Sequence, residues 1–188
     1  MGSEASEFEP APDRSSSPED DDSGLSALSD PVRSWFLETY RQGPTPAQSL
    51  GWPAIASRNH TLLISHTGSG KTLAAFLAII DGLVREWVDD RLERSLRCIY
   101  LSPLRSLGYD VELNLLDPLD GIARRLGLDR SPISVGVRTG DTSAYHRRRV
   151  FNAIPHILIT TPESLSLLLS QPKWRMHWRS VERLIVDE

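Results

Sequence analysis

The sequence predicts an α/β fold, a parallel sheet flanked by helices and preceded by a disordered tail. Three observations lead there. Short runs rich in Val, Ile and Leu recur at residues 61–65, 97–102, 133–138, 156–160 and 183–187. These runs are nearly continuous rather than alternating in apolar character, as expected of strands covered on both faces. Stretches of helical period lie between them, the order that builds a parallel sheet. No internal repeat of fixed period is visible.

In chain order, residues 1–24 are rich in Ser, Pro, Glu and Asp, with Phe8 as the one aromatic side chain. Such a segment buries too little to offset the entropy of ordering, so a solvated tail is expected. The tail is bounded at residue 30, and the folded body is expected over 31–188. Asp30 before Pro31 reads as an N-cap with proline in the first turn. Val32, Trp35, Phe36 and Tyr40 then recur at helical spacing until Gly43. A second short helix is expected over 46–57. The run TLLIS (61–65) reads as the first strand, entering Thr67-Gly68-Ser69-Gly70 and a helix over 71–88. The strand 97–102 is followed by one or two helices within 104–126. The strand 133–138 precedes a helix over 143–152, and 156–160 precedes one over 163–169. The fifth strand is 183–187.

Composition narrows the function. The 188 residues carry a formal charge of −4. Residues 1–30 hold nine acids against Arg14, a net of −8, so the remaining 158 residues carry +4. A mildly basic body suits a polyanion partner better than the total suggests. The single cysteine, Cys98, closes no intramolecular disulfide and builds no cysteine zinc site, and a reducing cytoplasm is the default compartment. The most apolar run, 73–80, is far shorter than the roughly 18 residues of a membrane span. The run His146-Arg147-Arg148-Arg149 reads as a solvated helix face.

Ser65-His66-Thr67-Gly68-Ser69-Gly70-Lys71-Thr72 fits the phosphate-loop pattern G-x-x-x-x-G-K-[ST], except that Ser65 stands for the first glycine. Glycines let successive N–H groups turn toward a phosphate, and the helix start adds partial positive charge. Lys71 is then the counter-charge of the β- and γ-phosphates, and Thr72 a magnesium ligand. The cofactors implied are ATP and Mg2+. Asp187, behind Leu184-Ile185-Val186, offers the hard carboxylate that magnesium needs. Beside it, Glu188 is positioned to accept a proton from attacking water.

With these motifs in order, the stretch from about Trp35 to Glu188 resembles the first RecA-like domain of a superfamily 2 helicase, and more closely the Lhr (large helicase-related) family. Gly43-Pro44-Thr45-Pro46-Ala47-Gln48 resembles the Q-motif, which implies that Gln48 reads adenine through its paired amide donor and acceptor. Phe36 or Tyr40 then lies near the base, or packs the core. Ser102-Pro103-Leu104-Arg105-Ser106-Leu107 resembles motif Ia. Arg138-Thr139-Gly140-Asp141-Thr142 resembles a segment typical of the Lhr group. Thr160-Thr161-Pro162-Glu163-Ser164 resembles motif Ib, and Val186-Asp187-Glu188 the opening of the DExH box. Thr161-Pro162-Glu163 is also an ordinary helix start, and both readings hold together. The resemblance implies nucleic-acid backbone contacts at Pro103, Arg105, Arg138, Thr139, Gly140, Thr161 and Pro162. Such contacts carry little sequence specificity and depend strongly on salt.

The DExH box is reached only as far as Glu188, so the sequence is expected to be a C-terminally truncated part of a two-domain motor. It is expected to bind ATP and single-stranded or partly duplex nucleic acid as a monomer, away from membranes, but not to unwind. DNA repair is the implied setting, with RNA also possible. The competing readings are an RNA helicase of the DEAD or DExH type and a module that binds ATP or nucleic acid without turnover.

Overall fold

The protein is described by a computed structural model over residues 24–103 and 107–187, without the side chains of 107–114. The expected tail at residues 1–23, and the predicted site residues Arg105 and Glu188, lie outside the described residues. Six helices and four strands run α1 (Asp30–Thr39), α2 (Pro46–Ala56), α3 (Lys71–Val88), β1 (Cys98–Leu101), α4 (Leu107–Arg125), β2 (Val135–Arg138), α5 (Ala144–Asn152), β3 (Ile157–Thr160), α6 (Pro162–Leu169) and β4 (Arg183–Val186). Short 3-10 turns at Leu25–Ala27, Pro172–Trp174 and His177–Ser180 carry no signal in the hydrophobic pattern.

The sheet is parallel with strand order β2-β3-β1-β4. Because side chains alternate across a strand, the two faces have separate cores. Cys98, Tyr100, Ile157 and Ile159 pack against α1 to α4, including Phe36, Trp52, Phe76 and Leu77. Ile99 and Leu158 pack on the other face against Leu168 and Trp174. Helices therefore cover both faces, as the continuous apolar runs predict.

Three expectations are corrected. First, residues 61–65 join no strand pairing. Their composition is strand-like, but a strand exists only with a partner, and Leu62 and Ile64 stand 83% and 85% exposed. Second, the body begins before residue 31, because Leu25 and Leu28 are buried in the core. Third, the N-cap of α1 is Ser29, with Asp30 in the first turn. The reason is tertiary. Asp81, buried within α3, accepts hydrogen bonds from the Ser29 N–H (2.7 Å) and hydroxyl (2.5 Å) and pairs with Arg85 (2.7 Å). Arg85 in turn donates to the Ala27 carbonyl (3.1 Å). This network fastens the start of α1 to α3.

One close approach fixes helix packing. A Cβ on Gly121 of α4 would lie 2.1 Å from Nε1 of Trp35 on α1, so these helices meet only because that position is bare. At the starts of β1 and β4, Arg97 bridges Glu86 (2.6 Å) and Glu182 (2.9 Å).

Candidate phosphate-binding site

The glycine loop opens α3. Gly68 and Gly70 both take φ of +80°, the left-handed region that glycine enters without steric cost. Gly70 is the N-cap, so the first N–H groups of an 18-residue helix emerge from the loop. Lys71 turns its ammonium back over the loop, donating to the carbonyls of Ser65 (2.8 Å) and His66 (2.9 Å). Thr72 follows with an exposed side chain, and Thr67 is exposed as well. The Ser69 hydroxyl is buried without a hydrogen-bond partner.

Gln48 reaches this loop from α2. Thr45 and Gln48 form a capping box: the Thr45 N–H donates to the Gln48 amide oxygen (2.9 Å), and the Gln48 N–H to the Thr45 hydroxyl (3.3 Å). The Thr45 hydroxyl donates onward to the Ser69 carbonyl (2.8 Å). A Cβ on Gly70 would meet the Gln48 amide nitrogen at 2.5 Å. Gln48 is buried, and the structure places it as a brace between the α2 cap and the glycine loop. Of the two aromatics, Phe36 is wholly buried against Trp52, whereas Tyr40 stacks on it from the exposed side.

Asp187 approaches from the sheet. Its N–H extends the β1–β4 ladder to the Leu101 carbonyl (3.0 Å). Its carboxylate accepts a hydrogen bond from the hydroxyl of Tyr100. The Tyr100 ring lies 4.7 Å from that of Phe76, one turn beyond Thr72 on α3. The carboxylate therefore sits on the α3 face of the sheet. Thr72 and Asp187 supply hard oxygen donors of the kind Mg2+ takes when phosphate and water complete its shell. Among the described residues no cluster of three or more His, Cys, Asp or Glu offers a competing metal site.

The other predicted residues gather along one rim. The register aligns Arg138 with Thr160, Thr160 with Leu101, and Leu101 with Val186, so the four strands end together. Beyond those ends come Thr139-Gly140, Thr161-Pro162, Pro103 and Asp187. Gly140, Pro162 and Pro103 are exposed. Thr139 and Thr161 are buried and structural: the Thr139 N–H is held by the Thr142 hydroxyl (2.8 Å), and Thr161 caps α6 through the Ser164 N–H (3.3 Å). Thr142 precedes the true cap of α5, Ser143.

Arg147 departs from the reading of 146–149 as a solvated face. Its guanidinium donates to the carbonyls of Thr142 (2.7 Å) and Gly140 (2.7 Å), clamping the loop after β2. Burial first, and the Arg147 charge second, lower the pKa of Arg138 from its ordinary value. The Arg147 guanidinium thus holds the loop while adding to the positive charge around Arg138. The spacing of Arg147 five residues beyond Thr142 contains no signal of this clamp.

A cleft of about 480 Å3 lined by Arg58, Ala78, Gly82, Arg97, Glu182 and Arg183 lies apart from the glycine loop and shares no residue with it.

A parallel sheet whose neighbouring helix begins in a glycine loop with lysine, faced by an aspartate from a strand end, defines a P-loop nucleotide-binding domain. The chain belongs to the DEAD/DEAH box helicase family, whose model matches residues 45–188. It is 44% identical over 168 residues to the ATP-dependent helicase Lhr-Core of Sulfolobus acidocaldarius, covering 89% of this chain and 19% of that protein. It is 46% identical over 164 residues to the Lhr helicase/uracil glycosylase of Escherichia coli, covering 84% and 10%. The structure of Mycobacterium smegmatis helicase Lhr bound to ssDNA and AMP-PNP matches with a TM-score of 0.78 at 46% identity, over 88% of this chain and 21% of that one. The chain spans about a fifth or less of the length of these relatives. A match to the helicase MrfA bound to DNA and AMPPNP, at 22% identity and a TM-score of 0.70, shows the shared fold. The resemblance to the Lhr group read from the motif order therefore holds at the level of whole-domain identity. No helix among the described residues is long and apolar enough to cross a membrane.

Proposed function

We propose that this chain forms the ATP-binding motor domain of an ATP-dependent helicase that acts on nucleic acid, with DNA as its strand. One observation carries the nucleotide half of this reading: the Lys71 ammonium is turned into a loop whose two left-handed glycines open the long helix α3. Lys71 and the loop N–H groups of residues 67–70 bind the phosphates. Thr72 and Asp187 would hold Mg2+, which would supply positive charge to offset that of the phosphates. Glu188 accepts the proton of the attacking water. Gln48, buried between the α2 cap and the glycine loop, holds that loop in shape, and the Q-motif resemblance adds adenine recognition through its amide donor and acceptor.

The nucleic-acid half rests on the rim. Arg138 and Arg147 place two positive charges beside the loop after β2, and a backbone phosphate there relieves their repulsion. Pro103, Gly140 and Pro162 line the remaining path along the strand ends, with Thr139 and Thr161 buried beneath it as loop and helix-start supports, and the motif Ia resemblance adds Arg105. The ssDNA bound to helicase Lhr of Mycobacterium smegmatis supports DNA as the strand.

The test is nucleotide binding by the purified chain. A fluorescent ATP analogue should bind the wild type with Mg2+, and Lys71→Ala should weaken it by roughly ten- to a hundredfold, the size of a charge-assisted hydrogen-bond loss. Equal affinity in a variant whose circular dichroism is unchanged overturns the assignment.

A further inference from the structure

We propose that Tyr100 is a positioning residue for magnesium-dependent nucleotide binding, acting by holding the Asp187 carboxylate against the α3 face of the sheet. This rests on the nucleotide-site reading above, because Asp187 matters here as a magnesium ligand.

Four observations converge. Tyr100 is 1% exposed, yet its hydroxyl reaches the end of the neighbouring strand and donates to Asp187. Its ring is fixed at 4.7 Å from Phe76, which is four residues beyond Thr72 on the loop helix. The register pairs Tyr100 with Ile185, two residues before Asp187 and on the same face. The Asp187 backbone is itself tied to Leu101 (3.0 Å), so main chain and side chain are both anchored on β1. Tyr100 therefore touches the loop helix with its ring and the acid with its hydroxyl.

The chemistry of the donor matters. A phenol is neutral near pH 7, so it orients a carboxylate without cancelling its charge, as an Arg or Lys partner would. One carboxylate oxygen is occupied by the phenol, and the charge remains available to a cation. Without the hydroxyl, a side chain at the end of a four-residue strand recovers its rotamer freedom, and the metal must restrict it again.

Tyr100→Phe removes the hydroxyl and keeps the ring contact with Phe76. The measurement is the affinity of a fluorescent ADP analogue for the 188-residue chain across a magnesium series and in its absence. The expected result is a rise of roughly three- to tenfold in the magnesium concentration needed for half-maximal binding, the scale of one ordinary intramolecular hydrogen bond, with magnesium-free affinity unchanged. In an Asp187→Asn background the same substitution should add nothing, since the two residues act as one unit. An unchanged magnesium requirement in Tyr100→Phe, while Asp187→Asn raises it, overturns the role of Tyr100 and leaves the site reading standing. An equal loss with and without magnesium also overturns it, by showing a role in folding alone. Wild-type binding by Lys71→Ala removes the underlying reading and this proposal with it.

Discussion

His156 shows how one residue can govern a junction. It stands just before β3 and is buried, and its Nδ1 accepts the Ser134 N–H (2.9 Å) ahead of β2. A backbone N–H only donates, so Nδ1 must be unprotonated. Burial is the main cause that lowers the pKa of His156, assisted by Arg94 and Arg97 and opposed by the Glu93 carbonyl and Glu86. The native state thus takes up a proton less readily than the unfolded chain. Stability from this site is fully present above the ordinary histidine pKa of about 6.5 and is lost as pH falls toward the lowered native value. The urea midpoint should drop between pH 7 and pH 5.5. His156→Asn, which retains an acceptor but does not titrate there, should flatten that decline. An unchanged pH slope would remove His156 as its source. Tyr100 and His156 owe their roles to residues 87 and 22 positions away, whereas Arg147 acts over five to seven, within its own neighbourhood.

At the scale of elements, two glycines in helices test which term dominates. In a helix interior, Gly→Ala gains roughly 0.5–1 kcal/mol from backbone entropy and propensity. Gly82 of α3 is exposed, and an added Cβ meets nothing within 4 Å, so Gly82→Ala should raise stability by about that amount. Gly121 of α4 faces Trp35, where the new Cβ lies 2.1 Å from a ring atom. Overpacking costs typically 1–3 kcal/mol, which outweighs the propensity gain. Gly121→Ala should therefore lower stability by about 1–2 kcal/mol in urea unfolding, with a sign opposite to Gly82→Ala. Helix starts were legible from sequence because caps are local: Thr45, Ser143 and Thr161 each occupy the expected N-terminus and accept an N–H three residues on. The cap of α1 was displaced because Asp81, 52 residues away, recruits Ser29.

At the scale of the whole molecule, β2 and β4 are the edge strands of the described sheet. β4 pairs only with β1 among the described residues, and Leu184 and Val186 on its outer face are exposed, as are Leu62 and Ile64. An edge strand with exposed apolar side chains invites association with another chain, and charge on the edge suppresses it. Leu184→Lys should reduce self-association of this chain in light scattering at high concentration while leaving its thermal midpoint within a few degrees. Continued association at the same concentration would place the contact elsewhere. The acidic segment at 1–30 and the basic remainder give the total charge of −4. The Arg138 and Arg147 pair gathers two positive charges at the strand ends, a local placement that the total does not reveal.

By itself the sequence determined the α/β class, the starts of α2, α3, α5 and α6, the glycine loop with Lys71, and the order of motifs, because each depends on residues close in the chain. Tertiary structure decided the rest. It left 61–65 without a strand partner, drew Leu25 and Leu28 into the body, turned Gln48 into a brace for the loop, and brought Tyr100 to Asp187. Pairing, burial and long-range hydrogen bonds depend on which segments become neighbours, and local propensity carries no record of that choice.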